Sequence, residues 1–287
     1  MVKVRDRQAE MQREKHIFVS PDDAIKLTLD EAIDISNKIF EYALTKYPKI
    51  IYKTCLFSGG SDSTVLLHLF KNKIDAAVHI NTGIGVEDTR KFVRETCNSI
   101  GVKLIEQHPP QGHTYVDYIT KYGFPGPASH TRVYSSLKER ALRNVRKSVI
   151  KNGKRENIAF IAGMRYFESE RRKVNTFDLM KEYSVIWISP INHWTDSHMQ
   201  EYRERHSVQT NPVSNNLHMS GECLCGCYAK PGEFEMLKFF YPETADYITS
   251  LEAMVQNSGL ANDKWGVKTS KKKKKSLPLC VDCEINS

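Results

Sequence analysis

Six consecutive residues, Ser58-Gly59-Gly60-Ser61-Asp62-Ser63, set three hydroxyls, two glycines and one carboxylate between an apolar run and a helical one. Glycine lets the backbone approach an anion closely, and successive amides in such a turn form a nest of N–H donors. A helix that starts there adds the positive end of its dipole. The chemistry this suits is the gripping of phosphate or pyrophosphate, with Asp62 placed to hold Mg²⁺ or to orient the turn. The Gly-Lys-Ser/Thr ending of a Walker A loop is missing, which argues against cleavage at a γ-phosphate.

Cysteine is the second chemical signal. Of seven cysteines, five fall in two clusters, Cys223-Leu224-Cys225-Gly226-Cys227 and Cys280-Val281-Asp282-Cys283. An extended backbone would turn the first three thiols to one side, and Gly226 also permits a tighter bend. The C-x-x-C spacing lets two thiolates reach one metal centre. Four thiolates suit Zn²⁺ or an iron–sulfur cluster, and spacing does not decide between them. The N-terminus is charged from Lys3 onward and shows no secretory signal, which favours metal binding over disulfides and a cytoplasmic address. Cys55 and Cys97 sit in apolar or helical contexts and are expected to be buried bystanders.

Arg165, Arg171 and Arg172 follow Gly163, with Glu168 and Glu170 among them. Guanidinium suits phosphate or adenylate recognition; surface ion pairing with the two glutamates is the plainer alternative. The net charge is +8, but Lys271 to Lys275 supply five of those charges. Leu137, Ala141, Val145 and Val149 recur at helical spacing, and Arg140, Arg143, Lys147 and Lys151 track another face of the same helix. That face is either an ordinary solvated one or a dock for a polyanion. No apolar run is long enough to span a bilayer. The loop histidines His113, His130, His193 and His218 receive no role.

These groups need elements to position them. The pattern predicts a polar helical lead-in over residues 1–20 and a helical segment from Pro21 closing at Pro48. Strands are predicted over Ile51–Phe57, Ile74–Ile80, Val102–Glu106, Ile158–Ala162 and Val185–Ile191, with helices between. Alternation of this kind implies an α/β fold with a doubly wound, mostly parallel sheet. Ligands in such sheets bind beyond the carboxyl ends of the strands, which is where the motifs fall. From about residue 207 the alternation stops. The expected organisation is therefore a lead-in (1–20), a nucleotide-binding domain (21–206) and a loop-rich, Cys-rich C-terminal region (207–287) with helices near 232–241 and 243–256.

The Ser58–Ser63 loop resembles that of the PP-loop ATP pyrophosphatase superfamily. Asn81-Thr82-Gly83 with Thr89, Gly123-Phe124-Pro125, Arg132, Lys138, Gly163-Met164-Arg165, Glu168-Ser169 and Arg171-Arg172 resemble the phosphoadenosine-phosphosulfate (PAPS) reductase branch over roughly residues 50–230. Ser220-Gly221-Glu222-Cys223-Leu224-Cys225-Gly226 with a terminal C-x-x-C is similar to the sulfur-insertion component of DNA phosphorothioation systems (DndC/SspD-like). This resemblance implies a PP-loop fold and ATP binding by Ser58, Gly59, Gly60, Ser61, Asp62, Ser63, Thr82, Gly83, Gly163 and Arg165, with Asp62, Ser63 and Arg165 catalytic and Mg²⁺ as cofactor. It implies contacts to the substrate phosphate from Arg132, Lys138, Glu168, Arg171 and Arg172. It also implies a 4Fe-4S cluster on Cys223, Cys225, Cys280 and Cys283, with zinc as the alternative. Cys227 is then the spare, either an alternative ligand or a sulfur-carrying thiol. The implied partners are a cysteine desulfurase as sulfur donor and DNA or another nucleic acid as acceptor.

The implied reaction is cleavage of ATP to AMP and pyrophosphate, which adenylates an acceptor oxygen so that sulfur can replace it. A sulfonucleotide reductase is the first alternative, but the chain ends Cys283-Glu284-Ile285-Asn286-Ser287 without a Glu-Cys-Gly segment, and no two cysteines are adjacent. A tRNA thiolase would share the loop and differ in acceptor. A non-catalytic, zinc-stabilised nucleic-acid-binding module is disfavoured by the intact Ser58–Ser63 loop.

Overall fold

Two segments, Ile50–Leu56 (β2) and Asn157–Ile161 (β5), lie side by side as parallel strands in the middle of a seven-stranded sheet. Every residue of β5 is buried, as expected of a parallel strand covered on both faces. The computed structural model describes residues 12–266, so Lys271–Lys275, Cys280 and Cys283 lie outside the described residues.

In chain order the remaining elements are β1 (Gln12–Glu14), α1 (Pro21–Ala24), α2 (Leu29–Lys46), α3 (Ser61–Phe70), β3 (Ala76–Ile80), α4 (Glu87–Ser99), β4 (Leu104–Gln107), α5 (Tyr115–Tyr122), α6 (His130–Tyr134), α7 (Arg140–Val149), α8 (Glu170–Asn175), β6 (Leu179–Glu182), β7 (Val185–Ile188), α9 (Asp196–His206), α10 (Pro212–Leu217), α11 (Glu233–Phe240) and α12 (Pro242–Asn257). The chain divides into two compact units. Within the described residues the first takes 12–79, 92–106 and 143–210, and the second takes 80–91, 107–142 and 211–266. The single cut expected at 206/207 lies close to the last boundary, but the second unit also gathers two earlier stretches of chain.

The sheet of the first unit runs β1-β6-β7-β5-β2-β3-β4. β7, β5, β2 and β3 are parallel, while β6 and β1 are antiparallel additions at one edge. The lead-in expected to be helical instead contributes β1, paired with β6 from Gln12 opposite Lys181 to Glu14 opposite Leu179. Expected Ile51–Phe57, Ile74–Ile80 and Ile158–Ala162 all appear within two residues of their bounds. Strand β7 stops earlier than expected, at Ile188; Ser189 N still bonds the Asp178 carbonyl in register at 2.8 Å, and the chain then turns as Asn192 N bonds the Ser189 carbonyl at 3.1 Å. From β2 the chain passes through α3 to β3 on one side, whereas β5 lies on the other. The order therefore reverses between β2 and β5, and their carboxyl ends form the switch point of the sheet. The core of this unit holds Ile39 and Phe40 of α2, Val65, Leu66 and Leu67 of α3, Ile161 and Ile188 of the sheet, and Trp194. Cys55 and Cys97 are buried in it, as expected.

The second unit has its own core, built on Ile84, Tyr115, Ile119, Leu137, Leu217, Leu224, Leu237, Ile248 and Trp265. The segment expected to be one basic helix from Leu137 begins earlier, as α6, and passes through a π-helical turn over Ser135–Glu139 into α7. Such turns widen the helix by one residue and recur at functional sites.

Candidate functional site

In the first unit β2 ends at Leu56, and the chain turns through Gly59 at φ 77°, which suits glycine, to open α3 at Ser61. The N-cap of α3 is Gly60, which supplies no side-chain acceptor. Helices α2, α5 and α9 instead begin in reciprocal capping boxes, Thr28 with Glu31, Thr114 with Asp117 and Thr195 with His198. Helix α3 thus presents its first amides without a capping side chain, the arrangement that receives an anion. The serines are wired into the turn. Ser63 Oγ donates to the Gly60 carbonyl at 2.9 Å and lies 3.2 Å from Ser58 Oγ, and the Gly60 amide donates to Ser58 Oγ at 3.4 Å.

Asp62 points out of the first helical turn to Arg165, which follows β5. Arg165 Nε donates to Asp62 Oδ2 at 2.9 Å, and Nη1 donates to Asp196 Oδ1 at 2.8 Å and to the Trp194 carbonyl at 3.3 Å. The Arg165 side chain is 7% exposed. Burial works against its charge, but the Asp62 and Asp196 carboxylates outweigh that and raise its pKa above the ordinary arginine value. Asp62 Oδ2 is taken by Arg165, so one oxygen of the carboxylate is left for a cation, a fit in kind with Mg²⁺, which is bound through few carboxylates and many phosphate or water oxygens. Gly163 is needed by its neighbours: a β-carbon there would lie 3.2 Å from the Asp62 carbonyl carbon and 3.2 Å from the Ser63 amide nitrogen. The strand end of β5 and the start of α3 are packed backbone to backbone.

Arg203 on α9 donates to Ser61 Oγ. Nothing in the spacing around Arg203 singles it out, because it joins the loop only through the packing of α9 on α3. Glu168 lies in a short 3₁₀ turn and pairs with Arg172 Nε at 3.0 Å, the surface ion pair weighed from the sequence, while Glu170 pairs with Lys173. Arg171 is a residue of α8.

The other expected site residues lie in the second unit. Thr82 is buried, its amide donating to Glu222 Oε1 and its hydroxyl to the Glu222 carbonyl, both at 2.8 Å. Gly83 sits at φ 77° with its amide on Asn81 Oδ1. Glu222, seen in the sequence only as part of the Ser220–Gly226 run, is thus the anchor that ties this segment to the cysteines. Arg132 is exposed and stacks its guanidinium 4.9 Å over the Tyr122 ring.

Cys223, Cys225 and Cys227 face one cavity of about 200 Å³, shared with His130, Tyr134, Lys138 and Tyr228 among others. The loop that holds them is pinned through its backbone. Leu224 N donates to the Ile84 carbonyl at 2.7 Å, Trp265 Nε1 to the Leu224 carbonyl at 2.7 Å and the Tyr115 hydroxyl to the Cys225 carbonyl at 2.9 Å. Gly226 turns at φ 80°, where a β-carbon would press on the Trp265 indole at 3.0 Å. The thiols hydrogen-bond in series. The contact with Cys225 and burial push Cys223 well above the ordinary thiol range. Cys225 is lowered by Cys223 but raised more by Cys227 and burial, to about 11, and Cys227 is drawn down by its bond to Cys225. Soft thiol donors suit zinc or iron–sulfur chemistry. Among the described residues no three His, Cys, Asp or Glu side chains surround a common metal-ion position, and Cys280 and Cys283 lie outside those residues.

The family model of the phosphoadenosine phosphosulfate reductase domain matches residues 53–232. The chain belongs to this family. The matched PAPS reductase domain includes the Ser58–Ser63 loop, Arg165 and the Cys223–Cys227 loop, and it ends before α11. An uncharacterized protein of Methanocaldococcus jannaschii is 27% identical over 200 residues, which are 65% of this chain and 38% of that protein. The chain therefore matches well under half the length of that relative. An adenosine 5'-phosphosulfate reductase of Bacillus mycoides is 25% identical over 193 residues, 66% of this chain and 76% of that protein. Among solved structures, the PAPS reductase of Candida auris in its phosphate complex superposes with a TM-score of 0.47 at 17% identity, covering 65% of this chain and 89% of that one. No helix among the described residues is long and apolar enough to cross a membrane.

Proposed function

We propose that this PAPS reductase-family protein cleaves ATP to AMP and pyrophosphate in order to activate an oxygen of a nucleic-acid backbone for replacement by sulfur, the chemistry of DNA phosphorothioation. The observation that carries this reading is the start of α3, a helix N-terminus with a glycine N-cap and no capping side chain, whose first acidic residue is clamped by a buried arginine. The α-phosphate would be attacked by the acceptor oxygen, forming a P–O bond to AMP while the bond to pyrophosphate breaks. Amides of the Ser58–Ser63 turn would stabilise charge on the departing pyrophosphate. A hydrosulfide-equivalent sulfur nucleophile from a cysteine desulfurase would then attack the acceptor phosphorus. The S–P bond forms, and AMP leaves carrying the original oxygen.

Asp62, oriented by Arg165, is the residue to hold Mg²⁺, which would neutralise charge between the phosphates when bound. Cys223 and Cys225, with Cys280 and Cys283, are the residues to hold a 4Fe-4S cluster, which would keep sulfur reduced and accessible. Arg165 acts as a positioning residue, holding the Asp62 carboxylate in place.

The test is pyrophosphate release from ATP in the presence of DNA and a sulfide source, with Asp62→Ala as the control. Release that depends on Asp62 and leaves sulfur on the DNA supports the reading; an Asp62-independent or absent release refutes it. A second reading, sulfonucleotide reduction, is favoured by the name of the Bacillus mycoides relative. Sulfite formed from adenosine 5'-phosphosulfate with a thiol reductant, and no pyrophosphate from ATP, would replace the first reading with the second.

A further inference from the structure

The cavity beside the cysteine loop has an uncommon wall. His130, Tyr134 and Lys138 stand at i, i+4 and i+8 along one stripe of a continuous helical run, and Tyr228 faces them from the loop. The His130 ring lies 6.2 Å from Tyr134, inclined at 32°, and 4.9 Å from Tyr228. Tyr134 is 37% and Tyr228 48% exposed, although the cavity they line is also lined by buried Leu137, Leu224 and Cys227. Lys138 is half-buried in the same wall. The buried Glu233 that also lines the cavity is already engaged, accepting the Lys230 amide at 2.9 Å. Lys138 lies within the π-helical turn over Ser135–Glu139.

Exposed rings beside a half-buried cation match a ligand that is planar at one end and anionic at the other. At about 200 Å³ the space is below the range of roughly 300–1,000 Å³ typical of drug-sized ligands and suits one ring system. We propose that this cavity takes a single unpaired nucleotide of a nucleic-acid strand, its base stacked on Tyr134, His130 and Tyr228 and its phosphate at Lys138. The proposal rests on the nucleic-acid acceptor of the reading above and narrows it to an unstacked nucleotide held beside the thiols. Stacking is sequence-tolerant, because every base has a π-face. A base locked in a duplex would have to leave its stack to enter.

The experiment is fluorescence anisotropy of the full-length protein with a labelled single strand of about 12 nucleotides, its duplex, and nucleoside monophosphates as competitors. The single strand is expected to bind more tightly than the duplex. Tyr134→Ala and Tyr228→Ala are each expected to weaken it about tenfold. Tyr228→Phe, which keeps the ring, should bind as the parent does and exclude misfolding as the cause. Lys138→Gln should reduce the salt slope by about one. Equal binding of duplex and strand, or unchanged affinity in both alanine variants, overturns the proposal. Displacement of the strand by a monophosphate at equal nucleotide concentration assigns the cavity to a free nucleotide and overturns the strand. Pyrophosphate release from ATP, measured on the same proteins, separates the two claims. Ring-dependent strand binding without pyrophosphate release overturns only the ATP reading, and release without ring-dependent binding overturns only this one.

Discussion

Replacing Gly85 with alanine tests whether the cysteine loop is held by backbone contact with the segment after β3. A β-carbon at Gly85 would lie 2.4 Å from the Glu222 carbonyl oxygen, 2.8 Å from its carbonyl carbon and 2.9 Å from the Gly221 carbonyl oxygen. The closest contact is 0.6 Å inside the 3.0 Å that such carbons essentially never cross, and all three atoms are backbone, so no rotamer relieves it. The φ of Gly85 lies outside the left-handed region, which leaves the cost purely steric. Relief requires residues 221–222 to move, and they are tied by Val86 N to the Gly221 carbonyl at 2.8 Å and by the Thr82 hydroxyl to the Glu222 carbonyl at 2.8 Å. Overpacking costs about 1–3 kcal/mol and each lost hydrogen bond about 1 kcal/mol, so the expected destabilisation is about 2–5 kcal/mol. Hydrogen exchange followed by mass spectrometry reads this locally: amides across 220–229 should exchange at least about thirtyfold faster than in the parent. Gly126→Ala is the control, since a β-carbon there meets nothing within 4 Å and the φ is unremarkable. If Gly85→Ala and Gly126→Ala protect 220–229 equally, the loop is not held in this way.

Three further outcomes are expected. Gly163→Ala should shift the start of α3 by a few tenths of an ångström, costing about 1–2 kcal/mol in urea unfolding and lowering kcat/KM for pyrophosphate release about tenfold. Burial depresses the His193 pKa from 6.5 to about 4, so the folded state resists protonation; stability should fall as pH drops through 6.5 and level off near 4, a loss of roughly 3 kcal/mol. His193→Gln should flatten that slope in urea titrations at pH 4–7, and an unchanged slope assigns it to other groups. For the cluster, Cys223→Ser and Cys225→Ser should each lose iron measured per chain, whereas Cys227→Ser should retain it; equal loss in all three makes Cys227 a ligand.

The parallel strands and the Gly-Ser turn that opens α3 were legible because each depends on local sequence. Asn157–Ile161 is buried along its length, as a strand covered on both faces must be, and Ile50–Leu56 carries enough apolar residues to read as its partner despite Lys53 and the exposed Ile51, and two glycines before Ser61 mark a turn with few alternatives. Strands β1 and β6 were not legible. Gln12–Glu14 and Leu179–Glu182 have mixed polar character, and their state is set by pairing with each other and with β7. The same distinction separates the site residues. Asp62 and the cysteines announce themselves by spacing, whereas Arg203, Asp196, Glu222 and Trp265 join their partners only in three dimensions. The π-helical turn shows the limit within a single helix: a four-residue apolar period reads as regular α-helix, and the extra residue over Ser135–Glu139 is visible only in the backbone.

Donor counting refines the role of Arg165. A guanidinium has five N–H donors. Nε–H is spent on Asp62, and both Nη1 hydrogens are accounted for by Asp196 and the Trp194 carbonyl. Only the two on Nη2 remain for an anion, so a bidentate grip on a phosphate through Nε and Nη would require breaking the Asp62 pair. In a side chain 7% exposed, that break would leave the Asp62 carboxylate without its cation at the very turn proposed to hold the phosphate. The arrangement is more economical as a brace: Arg165 fixes Asp62, Asp62 fixes the first turn of α3, and the amides of that turn meet the anion. Arg165→Lys distinguishes the two. A brace that needs donors in three directions fails with a single ammonium, so kcat for pyrophosphate release should fall while the KM for ATP holds. A direct phosphate contact would raise KM in step with the lost affinity.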